Sequence, residues 1–193
     1  MRTLLIVVIL LVAAALLATS APAAIAQSST GLEIAAGYTY VHSNAPPGGC
    51  GCFSFNGGSA SAAWHFNSSF VVVGEVSAVH ANNYDASSIS PTLTSFLFGP
   101  RLTHEFAQER FVPFAQVLVG GSHGSGGYFP TAAASASTGN AFALSAGGGL
   151  DIAIAKHLLL RAGPVEYFYT RFANGVNERQ NNVRVSAGIV FRF

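Results

Sequence analysis

Six charged residues in this sequence share one kind of position, and they are the first candidates for chemistry. Each lies in a segment where apolar and polar residues alternate, and each falls on the polar face of its segment. With Gln116 as a polar neighbour, they are Glu33, Glu75, Arg101, Asp151, Arg161 and Arg192. Charged groups that are shielded from water must be paired or hydrated. The balance of three acids and three bases therefore predicts an ion-pair network, either a permanent plug or a gate that opens when the pairs switch.

Two cysteines, Cys50 and Cys52, are separated by one residue in a segment rich in Gly, Pro and Asn. In an oxidising compartment they could form a disulfide, although so small a ring is strained. The alternative is a metal site that also uses His42, His80 and His123. A metal site needs three or four convergent ligands, and scattered histidines do not specify one. We therefore expect a loop disulfide or free thiols, with no metal and no cofactor.

The elements that carry these residues are predicted from alternation, because successive side chains of a strand point to opposite faces. Eight such segments, separated by turn-forming residues, cover about 32–41, 58–66, 70–80, 92–104, 111–121, 141–155, 158–171 and 182–193. Arg161 and Glu166 have opposite parity in the seventh segment, which predicts a bulge near Gly163 and Pro164. The connections alternate between long and short, and the third long loop is predicted over 122–140.

Composition favours a membrane location for these strands. Hydrophobic residues make up 50% of the 193 residues and charged residues only 9%, against about 25% in soluble domains. Ten-residue alternating segments are typical of a transmembrane β-barrel. The alternative is a secreted β-sandwich, whose polar face should carry more charge. Aromatic residues cluster near the predicted strand ends, as in a membrane-interface girdle.

The amino terminus reads as a cleaved signal peptide over residues 1–26, followed by one domain over 27–193. Arg2 precedes an apolar run, and Ala24 and Ala26 flank a small-x-small cleavage site before Gln27. Without Arg2 the chain has eight basic and eight acidic residues. No basic patch suited to nucleic acid remains.

The leader, the eight segments and the terminal aromatic residue together resemble the outer-membrane β-barrel family, in particular the eight-stranded membrane domain of OmpA and the OmpX-like barrels. The resemblance implies an all-β, antiparallel, up-and-down barrel in the outer membrane of a diderm bacterium, with both termini periplasmic. It implies that Phe191 and Phe193 form the signal read by the barrel-assembly machinery. It also implies a monomer, and the peptidoglycan-binding domain of OmpA is not expected.

A second, shorter resemblance concerns His123 and Ser125. Lipid A deacylases of the PagL type are also eight-stranded barrels and carry a His-x-Ser pair at the outer rim, with an acidic partner. The residue after the serine is Gly126 here rather than the Asn of that family. Two polar residues opening a Gly-rich loop explain the pair more simply, so we expect no catalytic residues.

The predicted function is structural or interactive. We expect a small barrel that contacts outer-membrane lipid, carries a charge-plugged lumen and presents four outward loops to a possible extracellular ligand. A narrow channel for ions or small solutes is the alternative, and a lipid-modifying enzyme is a third possibility.

Overall fold

The computed structural model describes residues 31–43, 53–82, 90–106, 110–130, 135–172 and 179–193. These residues form eight β-strands: β1 (Leu32–Ser43), β2 (Phe53–His65), β3 (Phe70–His80), β4 (Thr92–Thr103), β5 (Phe111–Pro130), β6 (Ser135–Ala155), β7 (Leu158–Thr170) and β8 (Gln180–Arg192). They contain no helix long and apolar enough to cross a membrane. The predicted leader and the two cysteines lie outside the described ranges.

The strands pair in chain order, each antiparallel to its neighbours, and β8 pairs with β1 to close the barrel. At the closing seam Glu33 lies opposite Arg192, and the Phe193 N–H donates to the Leu32 carbonyl over 2.9 Å. Closure gives every strand two partners, which matters in hydrocarbon because unpaired backbone groups there are costly. The prediction of an all-β, eight-stranded antiparallel barrel is confirmed.

The two ends of the barrel differ in their connections. Residues 66–69, 104–110 and 156–157 join β2 to β3, β4 to β5 and β6 to β7 at the end we call the short-turn end. Both ends of the described chain, in β1 and β8, lie at this short-turn end. The opposite end, which we call the long-loop end, contains the connections 44–52, 81–91, 131–134 and 171–179.

The outer surface is apolar, as strict alternation predicts. Phe96, Phe98 and Leu102 on β4 are 62%, 64% and 60% exposed. Exposed apolar surface of this extent is unfavourable in water but matches the lipid-facing band of a transmembrane barrel. A sandwich would instead bury this face in its core, so the closed barrel with an apolar exterior excludes that alternative.

The interior is less polar than the sequence suggested. A buried apolar cluster extends inside the barrel from Val71 near the short-turn end to Val41, Phe55 and Phe172 near the long-loop end, and it includes Leu118. An eight-stranded barrel has an interior that side chains can fill. Apolar side chains fill it without needing hydrogen-bond partners, so they and the charges share the space.

Three predicted boundaries are wrong, namely the start of β2, the end of β5 and the start of β6, while the others lie within two residues of the observed ones. Strand β2 begins at Phe53 instead of residue 58. The predicted loop 122–140 is largely strand, because β5 and β6 continue as a ribbon in which Ser125 pairs with Thr138 and Pro130 with Ser135. The Gly, Ser, Ala and Thr residues here look like strand breakers, but small residues can also form a two-stranded ribbon that has no apolar face to bury.

The predicted irregularity in β7 is present. The register of β7 against β8 shifts between Ala162 and Val165, and Gly163 has a φ of 99° beside a cis peptide to Pro164. A positive φ of this size is readily adopted only by glycine. The shift reverses the parity of the strand, so Arg161 and Glu166 both point into the barrel.

Candidate functional site

Glu33 on β1 is the centre of the buried charges near the short-turn end. Its Oε1 accepts hydrogen bonds from Arg101 Nη1 over 2.8 Å and from Arg161 Nη2 over 2.7 Å. Its Oε2 lies 3.1 Å from His65 Nε2 and 3.2 Å from Arg192 Nη2. One carboxylate thus joins side chains from five strands, and only 1% of the residue is exposed.

Arg161 is held from a second side by Asp151, its direct partner across β6 and β7. Its Nε and Nη2 donate to the two carboxylate oxygens of Asp151, each over 2.7 Å. This two-point geometry is the strong arrangement for a guanidinium and a carboxylate. It fixes the plane of the Arg161 guanidinium, so that Nη2 can also donate to Glu33.

A second group of charges is centred on Arg184 of β8. Arg184 Nε donates to Glu166 Oε2 over 2.6 Å, and its Nη1 lies 2.7 Å from Glu75 Oε1. Its Nη2 reaches the Ser145 hydroxyl over 3.3 Å. The guanidinium therefore joins β3, β6, β7 and β8 at a level farther from the short-turn end than Glu33.

Gln116 of β5 connects the two groups. Its Oε1 accepts from Arg101 Nε over 2.9 Å, and its Nε2 donates to Glu166 Oε1 over 2.8 Å. An amide suits this place because it accepts from a cation on one side and donates to an anion on the other. The result is one continuous network to which every strand contributes a side chain.

The network is electrically balanced. It holds four carboxylates (Glu33, Glu75, Asp151 and Glu166) and four guanidinium groups (Arg101, Arg161, Arg184 and Arg192). Buried charges that are paired and hydrogen-bonded avoid much of the cost of leaving water. The charges can therefore occupy the lumen without a net field that would draw in ions.

Aromatic rings pack on the guanidinium groups. The Phe114 ring packs against both Arg101 and Arg161, with centroid distances of 4.7 and 4.9 Å. The Phe168 ring lies 5.1 Å from Arg184. These contacts add cation–π attraction and exclude water from one side of each cation. They also join the charge network to the apolar cluster.

A cavity of about 30 Å³ remains beside the network, lined by Ser59, Ser61, Glu75, Arg101 and Ser186 among others. One water molecule needs about 10–15 Å³ of such volume, so this space suits one or two water molecules. A space of this size is too small for a solute pathway.

The family model described as the outer membrane protein beta-barrel domain matches residues 11–193. This chain belongs to that family of outer-membrane β-barrels. The membership agrees with the closed sheet, the apolar exterior and the resemblance inferred from the sequence. None of the curated proteins matches the chain.

Solved structures of other outer-membrane barrels share the fold. Neisserial surface protein A (NspA) matches with a TM-score of 0.60 at 16% identity, over 86% of this chain and 99% of that one. Ail, the attachment invasion locus protein of Yersinia pestis, matches with 0.58 at 17%, over 86% and 100%. OprG of Pseudomonas aeruginosa matches with 0.54 at 9%, over 87% and 98%. At these identities the likeness shows the fold alone.

The structure of this outer-membrane barrel brings all seven predicted lumen residues into the network. Sequence reasoning missed three members, His65, Glu166 and Arg184. Arg184 lies on the polar face of the last strand, so parity alone could have included it. Glu166 could have been included only if the parity reversal caused by the predicted bulge at Gly163 had been applied to the residues after it. His65 also had the inward parity, and its pairing with Glu33 follows from the neighbouring β1–β2 register, in which Glu33 lies opposite Ala63.

The remaining predicted residues lie elsewhere. Phe191 and Phe193 are on the outer face at the short-turn end, 49% and 65% exposed. His123 is exposed near the long-loop end, where its Nδ1 lies 2.7 Å from the amide oxygen of Asn140. Within the described residues, no three His, Cys, Asp or Glu side chains come together as a metal site.

Proposed function

We propose that this protein is a closed outer-membrane barrel with a structural or surface-interaction role. The observation that carries the proposal is the continuous network, because it draws a side chain from every strand across the lumen. The apolar cluster blocks the lumen at a second level, since Leu97, Leu118 and Phe168 fill the interior towards the long-loop end. A barrel filled in this way gains rigidity and loses a conducting path.

The proposal includes an orientation, with the short-turn end in the periplasm and the loops outside. Short periplasmic turns and longer extracellular loops are the rule for bacterial barrels. In this orientation the β5–β6 ribbon, from Ser122 to Pro130 and from Ser135 to Ala141, projects on the outer side. The same fold is used by Ail, named as an attachment invasion locus protein, which supports a surface role for a barrel of this form.

The assembly and partner proposals follow from the family. Phe191 and Phe193 would be read by the barrel-assembly machinery, and the barrel would act as a monomer in outer-membrane lipid. Cleavage after Ala26 would release the mature chain at Gln27. Mass measurement of the protein purified from outer membranes tests the cleavage site directly.

Single-channel recording tests the closed lumen. We expect the wild-type barrel in a planar bilayer to give no current steps above those of protein-free bilayers. The matched variant Arg101→Gln shortens and neutralises a side chain that reaches across the lumen. If the wild type gives current steps and Arg101→Gln changes their size, the ion path lies in the lumen. The channel alternative would then replace the proposal.

Labelling of intact cells tests the orientation. In a Cys50→Ser/Cys52→Ser background, cysteine is introduced in place of Ser125 near the long-loop end or Ser68 in a short turn. We expect a membrane-impermeant maleimide to label the Ser125→Cys protein only. Labelling of Ser68→Cys alone would invert the orientation.

The geometry gives less support to a lipid-modifying enzyme. His123 and Ser125 lie two residues apart on the outward side of β5, but the group beside His123 Nδ1 is the neutral amide of Asn140. A general base of this kind is normally oriented by a carboxylate. We therefore propose no enzymatic activity, and unchanged lipid A in cells that express the protein is the expected result by mass spectrometry.

A further inference from the structure

An open groove of about 660 Å³ lies on the outer wall of the barrel, over β2 and β3. Its floor is made of small residues, Ala60 and Ala62 on β2 and Gly74 on β3. Ala62 lies directly opposite Gly74 in the antiparallel register. A methyl group added to Gly74 would meet no atom within 4 Å, so no neighbouring side chain covers the floor there.

Larger apolar side chains form the two sides of this groove. Ile34 on β1 pairs with Ala62, and Phe98 on β4 pairs with Gly74, so the four residues follow one another around the barrel. Ile34 and Phe98 are both exposed, and Phe96 continues the β4 side towards the long-loop end. An apolar chain on the floor would therefore contact protein beneath it and on both sides. It would gain more dispersion contacts there than on a flat wall.

The two ends of the groove differ in polarity. Towards the long-loop end, the exposed Tyr38 hydroxyl donates to the amide oxygen of Asn56. Towards the short-turn end, β2 continues with Trp64, which is exposed on the apolar wall. Glu75 borders the groove through its place in β3, but its carboxylate pairs with Arg184 in the lumen. The groove therefore runs from a polar, uncharged end to an apolar one.

The distance between these ends matches the depth of one membrane leaflet. Gly58 lies opposite Tyr38, and Trp64 follows it six positions later on β2, which is about 20 Å along a strand. At the tilt of about 45° that is usual for transmembrane strands, this is a rise of about 14 Å, close to half of the ~30 Å hydrocarbon core. An acyl chain that starts at the polar end would reach Trp64.

We propose that this groove binds one acyl chain of a membrane lipid, with the headgroup beside Tyr38 and Asn56. The groove is continuous with the apolar wall that an outer-membrane barrel presents to lipid, so hydrocarbon chains reach it without crossing water. The hydroxyl and the amide supply hydrogen bonds at the level of the headgroup. The leaflet rests on the proposed orientation, which places Tyr38 on the outer side, whereas the groove itself does not depend on it.

Native mass spectrometry of the purified barrel in a non-ionic detergent tests the site. The probe is dimyristoyl phosphatidylcholine, and dihexanoyl phosphatidylcholine has the same headgroup with short chains. Ala62→Leu fills the floor, and the matched control Ala115→Leu makes the same change at an exposed alanine of β5, outside the groove. Phe98→Ala removes one side of the groove without filling it. A shift in gel mobility on heating verifies that each variant is folded.

We expect the wild type to retain dimyristoyl phosphatidylcholine in preference to the short-chain lipid. Ala62→Leu and Phe98→Ala should each bind it roughly tenfold more weakly, as for the lost burial of about two methylene groups. The Ala115→Leu control should bind as the wild type does.

Three results would overturn the proposal. Equal retention in Ala62→Leu and Ala115→Leu, or no retention in the wild type, would show that the groove is not the site. Equal retention of the two lipids would show recognition of the headgroup instead of the chain. A dimer whose amount falls in Ala62→Leu would show that a second copy of the barrel occupies the groove. These measurements do not involve the lumen, so the proposal of a closed lumen stands or fails separately by current recording.

Discussion

Replacing Glu33 with Gln should destabilise the barrel more than any other single loss of charge in the lumen. The substitution keeps the size of the side chain and removes the charge that faces three arginines. Arg161 retains Asp151 and Arg101 retains Gln116. Arg192, by contrast, has its one ion pair in the described structure with Glu33. The change therefore leaves a buried guanidinium uncompensated.

The expected loss is roughly 3–5 kcal/mol in the free energy of unfolding, the range for breaking a buried ion pair by removing one partner. Urea unfolding in lipid vesicles, followed by the fluorescence of the single Trp64, measures it. Trp64 is suitable because it is 52% exposed on the lipid-facing side and would change environment on unfolding.

Two further variants make this test specific. Glu105→Gln makes the same chemical change in the connection between β4 and β5, and it should cost about 1 kcal/mol or less, as for ion pairs outside a buried site. In Glu33→Gln/Arg192→Gln both partners are neutral, so the loss should be smaller than the sum of the single losses. A folded Glu33→Gln protein within about 1 kcal/mol of the wild type would refute the central position given to Glu33.

Two other predictions use the same unfolding measurement. Gly163→Ala should lose about 1–2 kcal/mol, because its φ of 99° places an L residue in the left-handed region. Gly74→Ala is the matched control and should be neutral or slightly stabilising, since a methyl group there meets no atom within 4 Å; equal losses would contradict the role of backbone conformation at the bulge. Gln116→Leu should lose roughly 1–3 kcal/mol, because Arg101 Nε and Glu166 Oε1 each lose a buried partner. Wild-type stability in the Gln116→Leu protein would show that the two charge groups are independent.

The sequence was sufficient for the architecture because a barrel wall obeys a simple rule. Every strand must alternate between lipid and lumen, so the direction of side chains such as Glu33 and Phe96 followed from parity alone. The bulge near Gly163 was also predictable, since it resolves the parity conflict between Arg161 and Glu166. Boundaries failed in the β5–β6 ribbon, where the strands continue without an apolar face and the periodic signal is lost.

Partners within the lumen were harder to predict than directions. Parity shows that Arg184 points inward, but its contacts with Glu75 and Glu166 depend on strand stagger and side-chain length. The apolar interior was missed for a related reason. Leu118 and Phe168 have inward parity, but their contribution to the filling depends on how residues from distant strands share the enclosed space.

Solvent exchange of the arginine Nε–H groups tests the account most directly. Nitrogen-15 NMR of the barrel in a bilayer would follow them by their side-chain signals. In Arg101, Arg161 and Arg184 the Nε donates to Gln116, Asp151 and Glu166. Arg192 Nε has no hydrogen-bond partner among the described residues.

We predict slow exchange for Arg101, Arg161 and Arg184, faster exchange for Arg192, and the fastest for the exposed Arg171. This order follows from a packed lumen in which water does not reach the paired donors. Exchange of Arg101, Arg161 and Arg184 as rapid as that of Arg171 would show a hydrated, open lumen and would contradict the closed network.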